Sequence, residues 1–170
     1  MGTSEGGKKS LLTKILIVLG VLAVLIQLYR PSRENPVADP SLAAAAHLRI
    51  PPRVAAMLRT SCYDCHSNES VWPWYSNIAP ASWLVARDVS QGRKRLNFSE
   101  WANYTQSRQV SILGDIAEEV TKEEMPYPPY LILHPEARLS KAGRDSLVAW
   151  ANDEQDRLFT QQDDRGGERE

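Results

Sequence analysis

The sequence predicts an all-α domain behind one membrane-spanning helix, and three observations carry that reading. Apolar residues between positions 50 and 160 recur at helical spacing, strand-type alternation is missing there, and the first thirty residues hold one long apolar run. At 170 residues the chain has room for about one domain of ordinary size. A net charge of -1 offers nucleic acid no electrostatic footprint. Hydrophobic residues at 42% and charged residues at 24% are ordinary globular values and exclude disorder of the whole chain. The two cysteines, Cys62 and Cys65, lie too close together for a disulfide framework and mark a local device.

Taken in order, residues 1–10 read as a cytoplasmic N-terminus and 11–29 as the membrane span. Ile15 to Tyr29 carries no charge, and a helix from Leu11 to Tyr29 measures about 28 Å at ~1.5 Å per residue, close to the thickness of a bilayer core. Lys8, Lys9 and Lys14 precede the run and place the N-terminus inside, although Arg30 and Arg33 weaken the asymmetry. Arg30-Pro31-Ser32-Arg33-Glu34 offers no small-x-small cleavage site, and Ala44 and Ala46 lie too far downstream, so the segment reads as an uncleaved anchor. The remainder is then exported.

Residues 30–45 form a linker in which Pro31 to Pro40 reads as an extended tether on which the domain swings. The folded domain is expected over 46–160. Pro51-Pro52 opens a helix that carries Val54, Met57, Leu58, Cys62 and Cys65 on its buried side and ends near Asn68. A second helix runs from Ala81 to Gln91, with Gly92 at its C′ position. Ser99 caps a short turn with Trp101 and Tyr104. A third helix, Arg108 to Lys122, places Val110, Leu113, Ile116, Ala117 and Val120 on one face. Ser140 caps a last helix holding Leu147, Trp150, Ala151 and Leu158, and 161–170 is expected to fray. The five tryptophans read as core or cofactor-wall packing.

Cys62-Tyr63-Asp64-Cys65-His66 is the c-type haem attachment pattern. On a helix, thiols at i and i+3 are neighbours and can add to the two vinyl groups of one porphyrin, while the adjoining His66 can give a ring nitrogen to the iron. Two alternatives are weaker. A thioredoxin-like pair belongs at a helix N-terminus in a βαβ context, and a zinc site would need further ligands, for which only the distant His47 and His134 are at hand. The sixth iron ligand must come from elsewhere. Met1 is cytoplasmic and Met57 shares the cysteines' helix, which leaves Met125 on the proline-fixed run Glu124-Met125-Pro126-Tyr127-Pro128-Pro129-Tyr130, with His134 its rival.

Ser61 to Asn68, Trp72 to Pro80, Asn97 to Trp101, Glu124-Met125-Pro126 and His134 to Ser140 together resemble the bacterial haem-binding domain family of cytochrome c-like proteins, over about residues 46 to 158. The resemblance implies a small cytochrome c fold with haem c held by Cys62 and Cys65, His66 proximal and Met125 distal. It also suggests Pro80, 14 residues beyond His66, as the residue whose carbonyl accepts the other N–H of the histidine. Tyr127 departs from the family, where a second proline often follows Met-Pro.

These readings converge on a monohaem electron carrier, single-pass in the bacterial inner membrane, with its C-terminal domain in the periplasm. Its partners are membrane-bound or periplasmic redox proteins and the cytochrome c maturation machinery. A haem-based gas or redox sensor, or a peroxidase-like enzyme with a displaceable sixth ligand, is the alternative, and the absorption spectrum separates them.

Overall fold

A computed structural model describes residues 4–167, with side chains from 10 to 161. The described chain is helical without strands, as the periodicity predicts. It divides into two units. One comprises the chain up to Arg33 with Trp72–Asp88, the other Glu34–Val71 with the chain from Val89 onward.

In the first unit α1 (Ser4–Leu25) continues as a 3-10 turn over Ile26–Leu28. Ser10–Leu28 is long and apolar enough to cross a membrane, with mean hydropathy 2.6 and none of it buried. The last turn of this span is joined to the later segment by its own polar groups. The Gln27 carboxamide accepts from the Ala79 amide at 2.9 Å and donates to the Ala79 carbonyl at 3.1 Å. Trp83 Nε1 donates to the Tyr29 carbonyl at 2.9 Å, and the two rings meet edge to face. Arg33 donates to Ser76 Oγ and Asn77 Oδ1. Trp74–Asn77 is a 3-10 turn, and the Ala79–Pro80 peptide is cis. Pro80 directly precedes α5 (Ala81–Arg95), and its carbonyl accepts from the Trp83 and Leu84 amides.

In the second unit the residues expected as tether have no regular structure, yet they are tied down. Asn35 donates to the Ser70 carbonyl at 2.9 Å and accepts from Arg93 at 2.7 Å, and the Val37 carbonyl accepts from Asn68 at 3.2 Å. These bonds hold Asn35 and Val37 to Asn68, Ser70 and Arg93 of the same unit. A short helix, α2 (Ala44–His47), precedes α3 (Pro52–Ser61), which starts with proline in the first turn, where no amide donor is needed. Asn97, rather than Ser99, caps the 3-10 turn Phe98–Asn103, because its Oδ1 accepts from the Ser99 amide while Ser99 Oγ accepts from Asn68.

The core lies where α6 (Gln106–Thr121) packs on α7 (Lys141–Gly167). Thr105 caps α6, which starts two residues earlier than the apolar pattern alone suggests, and the helix face Ile112, Leu113, Ala117 and Val120 is buried. Leu147, Trp150, Ala151 and Leu158 of α7 and Val54 and Leu58 of α3 join the same cluster. Each such aliphatic side chain contributes about 1.5–3 kcal/mol on burial. Ser140 caps α7 as expected, its Oγ accepting from the Gly143 amide at 3.1 Å. The helix continues to Gly167 instead of fraying from 161, since Gln161 to Arg165 contains no breaker; residues 168–170 lie outside the described part. Trp101 and Trp150 are core residues, whereas Trp74 is 74% exposed, against the packing role expected of it.

Candidate functional site

The Cys-x-x-Cys-His segment is a self-contained turn, not the interior of a long helix. α3 ends at Ser61, and Cys62 (φ -127, ψ -38) leaves helical geometry. Its carbonyl then accepts from the Cys65 amide at 3.2 Å and the His66 amide at 2.9 Å, closing the one-turn helix α4 (Tyr63–His66) before Ser67 turns extended. The i and i+3 relation of the two cysteines survives, because the turn itself is α-helical. No disulfide joins them. Burial first, and then the neighbouring Cys65, push the Cys62 thiol up to about 12, so it stays protonated, the reverse of an activated redox thiolate.

Two contacts from α5 fix this turn. The sequence pattern puts Gly92 just past a helix end, but it lies inside α5, which runs on to Arg95. Its lack of a side chain serves close approach instead: a Cβ there would stand 2.5 Å from the Cys65 carbonyl oxygen and 3.1 Å from the Cys65 Cβ. One turn later the Leu96 carbonyl accepts from His66 Nδ1 at 3.1 Å. A carbonyl can only accept, so Nδ1 carries the proton and Nε2 keeps the lone pair that a metal ligand needs. Burial also holds the His66 pKa below the ordinary imidazole value, which keeps the ring neutral. His66 Nδ1 thus meets the Leu96 carbonyl, whereas the carbonyl of Pro80, expected to take this bond, accepts from the Trp83 and Leu84 amides.

Met125 is delivered by the end of α6. Glu123 adopts φ 59, the Glu123 amide donates to the Val120 carbonyl at 3.2 Å and the Glu124 amide to the Glu119 carbonyl at 3.0 Å. This is a Schellman cap with glutamate where glycine is usual. The Met125 amide shares the Glu119 carbonyl at 3.2 Å, and a cis peptide leads into the buried Pro126. On the far side of the loop Tyr130 donates its hydroxyl to Asp64 Oδ2 at 2.8 Å, and Asp64 Oδ1 accepts from the Val71 amide at 3.0 Å. Asp64, between the two cysteines, therefore ties the Met125 segment to the Cys62–His66 turn.

Cys62, His66, Met125 and Pro126 line one cavity of about 390 Å³, within the ~300–1,000 Å³ range of small-molecule sites. Its walls are mainly apolar, with Leu58, Leu96, Phe98, Ile112, Ile116 and Val120 contributing. Arg95 and Arg108 line it too, together with Asp115 and Glu119. Neither arginine stands out in the sequence; only their charge beside an apolar wall distinguishes them. Cys65 packs on Gly92 and is not among the lining residues. His134 is stacked on Tyr130 at 4.1 Å with its Nδ1 on Glu136, and His47 Nε2 meets the Ser41 carbonyl, so neither histidine lines the cavity.

The donor set fits a haem iron. A neutral imidazole nitrogen and a thioether face one apolar space, whereas no three His, Cys, Asp or Glu side chains converge as a metal site among the described residues. No curated protein and no solved structure matches the chain. The family model described as "Haem-binding domain" matches residues 21–153, a stretch that contains the Cys62–His66 turn, the Met125 segment and every residue lining the cavity. On this match, which spans more than three quarters of the sequence, the chain belongs to the haem-binding domain family.

Proposed function

We propose that the chain is a membrane-anchored periplasmic monohaem cytochrome of the c type, which carries single electrons between membrane-bound or periplasmic redox partners. The observation that carries the reading is the meeting of Cys62, His66 and Met125 on one apolar cavity, with His66 in the tautomer that leaves Nε2 for the iron. Cys62 and Cys65 would hold haem c covalently, and His66 and Met125 would ligate its iron. The bound haem c supplies a one-electron couple.

The chain's own residues then set how that couple behaves. Leu96 orients the imidazole and raises its basicity by accepting the Nδ1 proton. The walls around Phe98, Ile112 and Val120 exclude water, and a low dielectric disfavours the more charged oxidised state. Thioether ligation acts in the same direction. Arg95 and Arg108, the two cations on the cavity, are suited to the porphyrin carboxylates. With His66 and Met125 both ligating it, the iron would be suited to electron transfer and not to binding a substrate. The apolar helix Ser10–Leu28 serves as the anchor.

The test is production of the full chain beside a cytochrome c maturation system. Haem should remain on the polypeptide in a denaturing gel, and the oxidised protein should show the weak far-red band of a methionine–iron bond. Cys62→Ser with Cys65→Ser should abolish the gel signal. A colourless, iron-free product would refute the proposal, and avid carbon monoxide binding by the reduced wild-type protein would remove the Met125 part of it.

A further inference from the structure

Residues 72–86, Trp-Pro-Trp-Tyr-Ser-Asn-Ile-Ala-Pro-Ala-Ser-Trp-Leu-Val-Ala, contain no charged side chain, and the first charge after them is Arg87. The stretch holds three of the five tryptophans of the chain. Its apolar side chains are not all packed: Trp74 is 74% exposed, Leu84 55% and Ile78 49%. A soluble surface of this size would ordinarily be broken by charge, and an unbroken one marks an interaction face.

What covers it is indicated by what it is bonded to. The Gln27 carboxamide pairs with both polar groups of Ala79, and Trp83 donates to Tyr29, so residues 79–83 lie beside the last turn of the apolar span. Leu28 and Tyr29, at that same level, are also exposed. Tryptophan and tyrosine with an uncharged backbone neighbourhood are the side chains that settle at the headgroup–acyl boundary, apolar body inward and polar atom toward water. We propose that residues 72–86 form an interfacial collar that lies in the bilayer surface around the exit of α1, so that the partner of this face is lipid. The collar rests on the anchor part of the proposed function but is independent of the haem chemistry.

The span itself contains no tryptophan, so the indoles report only on the exported part. The full chain, haem-loaded, is reconstituted in vesicles of phosphatidylcholine and in vesicles of the same lipid brominated on its acyl chains; flotation verifies insertion, and the ratio of emission in the two cancels quenching within the protein. The wild type should lose at least about a fifth of its emission to bromine, the share of one of its five tryptophans. Trp74→Phe, and separately Ile78→Ser with Leu84→Ser, should reduce that loss, and because these side chains are exposed both variants should keep the wild-type visible spectrum. A floating wild type without bromine quenching, or quenching undiminished in both variants, overturns the collar and leaves the anchor standing. A chain that does not float overturns both.

Discussion

Gly92→Ala measures how tightly α5 holds the Cys62–His66 turn. The added Cβ would stand 2.5 Å from the Cys65 carbonyl oxygen, against 3.4 Å for the onset of ordinary contact, so the two backbones must part by about 0.9 Å. Neither atom is the end of a flexible side chain, and the strain cannot be swung away. Leu96 moves with Gly92, because its amide donates to the Gly92 carbonyl at 3.0 Å. The His66–Leu96 bond of 3.1 Å then stretches to about 4.0 Å, beyond hydrogen-bond range. Alanine in a helix interior gains about 1 kcal/mol over glycine. Overpacking costs about 1–3 kcal/mol and a buried donor left without its acceptor about 1–3 more, which leaves a net loss of about 3 kcal/mol. At roughly 4 °C per kcal/mol the melting midpoint falls by roughly 12 °C. The assay is thermal unfolding followed by circular dichroism on the haem-loaded full chain, with Gly114→Ala as control. There the Cβ meets only Gln155 Nε2, a side-chain end that can turn aside at the cost of its bond to the Val110 carbonyl, so the change should stay within about 1 kcal/mol. Melting of Gly92→Ala at or above the wild-type midpoint would refute the close-approach argument.

Three further outcomes are set by the site. Met125→Ala should abolish the far-red band of the oxidised protein and let the reduced protein bind carbon monoxide; an unchanged spectrum excludes Met125 as ligand. Glu123→Gly should fall within about 1 kcal/mol of wild type in denaturant unfolding, since relief at φ 59 offsets the lost ion pair with Arg144 at 2.9 Å. Glu123→Val, branched at Cβ, should lose at least about 1 kcal/mol by the same measurement, and equal stability of the two variants would contradict the Schellman assignment. Tyr130→Phe should cost about 1–2 kcal/mol in a denaturant titration by deleting the bond to the Asp64 carboxylate; wild-type stability would show that the tie contributes nothing.

Cys62, His66 and Met125, which line the cavity, stand out in the sequence because their pattern is local. Cys62, Cys65 and His66 are close neighbours in sequence, and the prolines after Met125 exclude a helix whatever the rest of the chain does. The helices over α6 and α7 were likewise readable, since each buries one apolar stripe. What escaped depends on long-range backbone contacts. Leu96 acts through its carbonyl, which every residue possesses, so no side-chain pattern can single it out over Pro80. Gly92 looked like a helix stop because a stop and a close approach both ask for glycine, and only the proximity of Cys65 separates them. The helix break at Cys62 was hidden because the apolar period continues across it. Prolines predict the extension of residues 31–40, but not that Asn35 finds partners at Ser70 and Arg93.

If Met125 ligates the haem iron as proposed, the hydrogen bond between Tyr130 and Asp64 would restrain its sulfur whenever it left the metal. Tyr130 stands five residues past Met125, so the intervening chain can reach no more than about 17 Å at ~3.4 Å per residue, while the Glu119 carbonyl moors the near side. A detached thioether is thus a captive at high effective concentration, and its return competes with any dissolved gas as an intramolecular event. Vacating that coordination position for long would require cutting the leash at Asp64 as well.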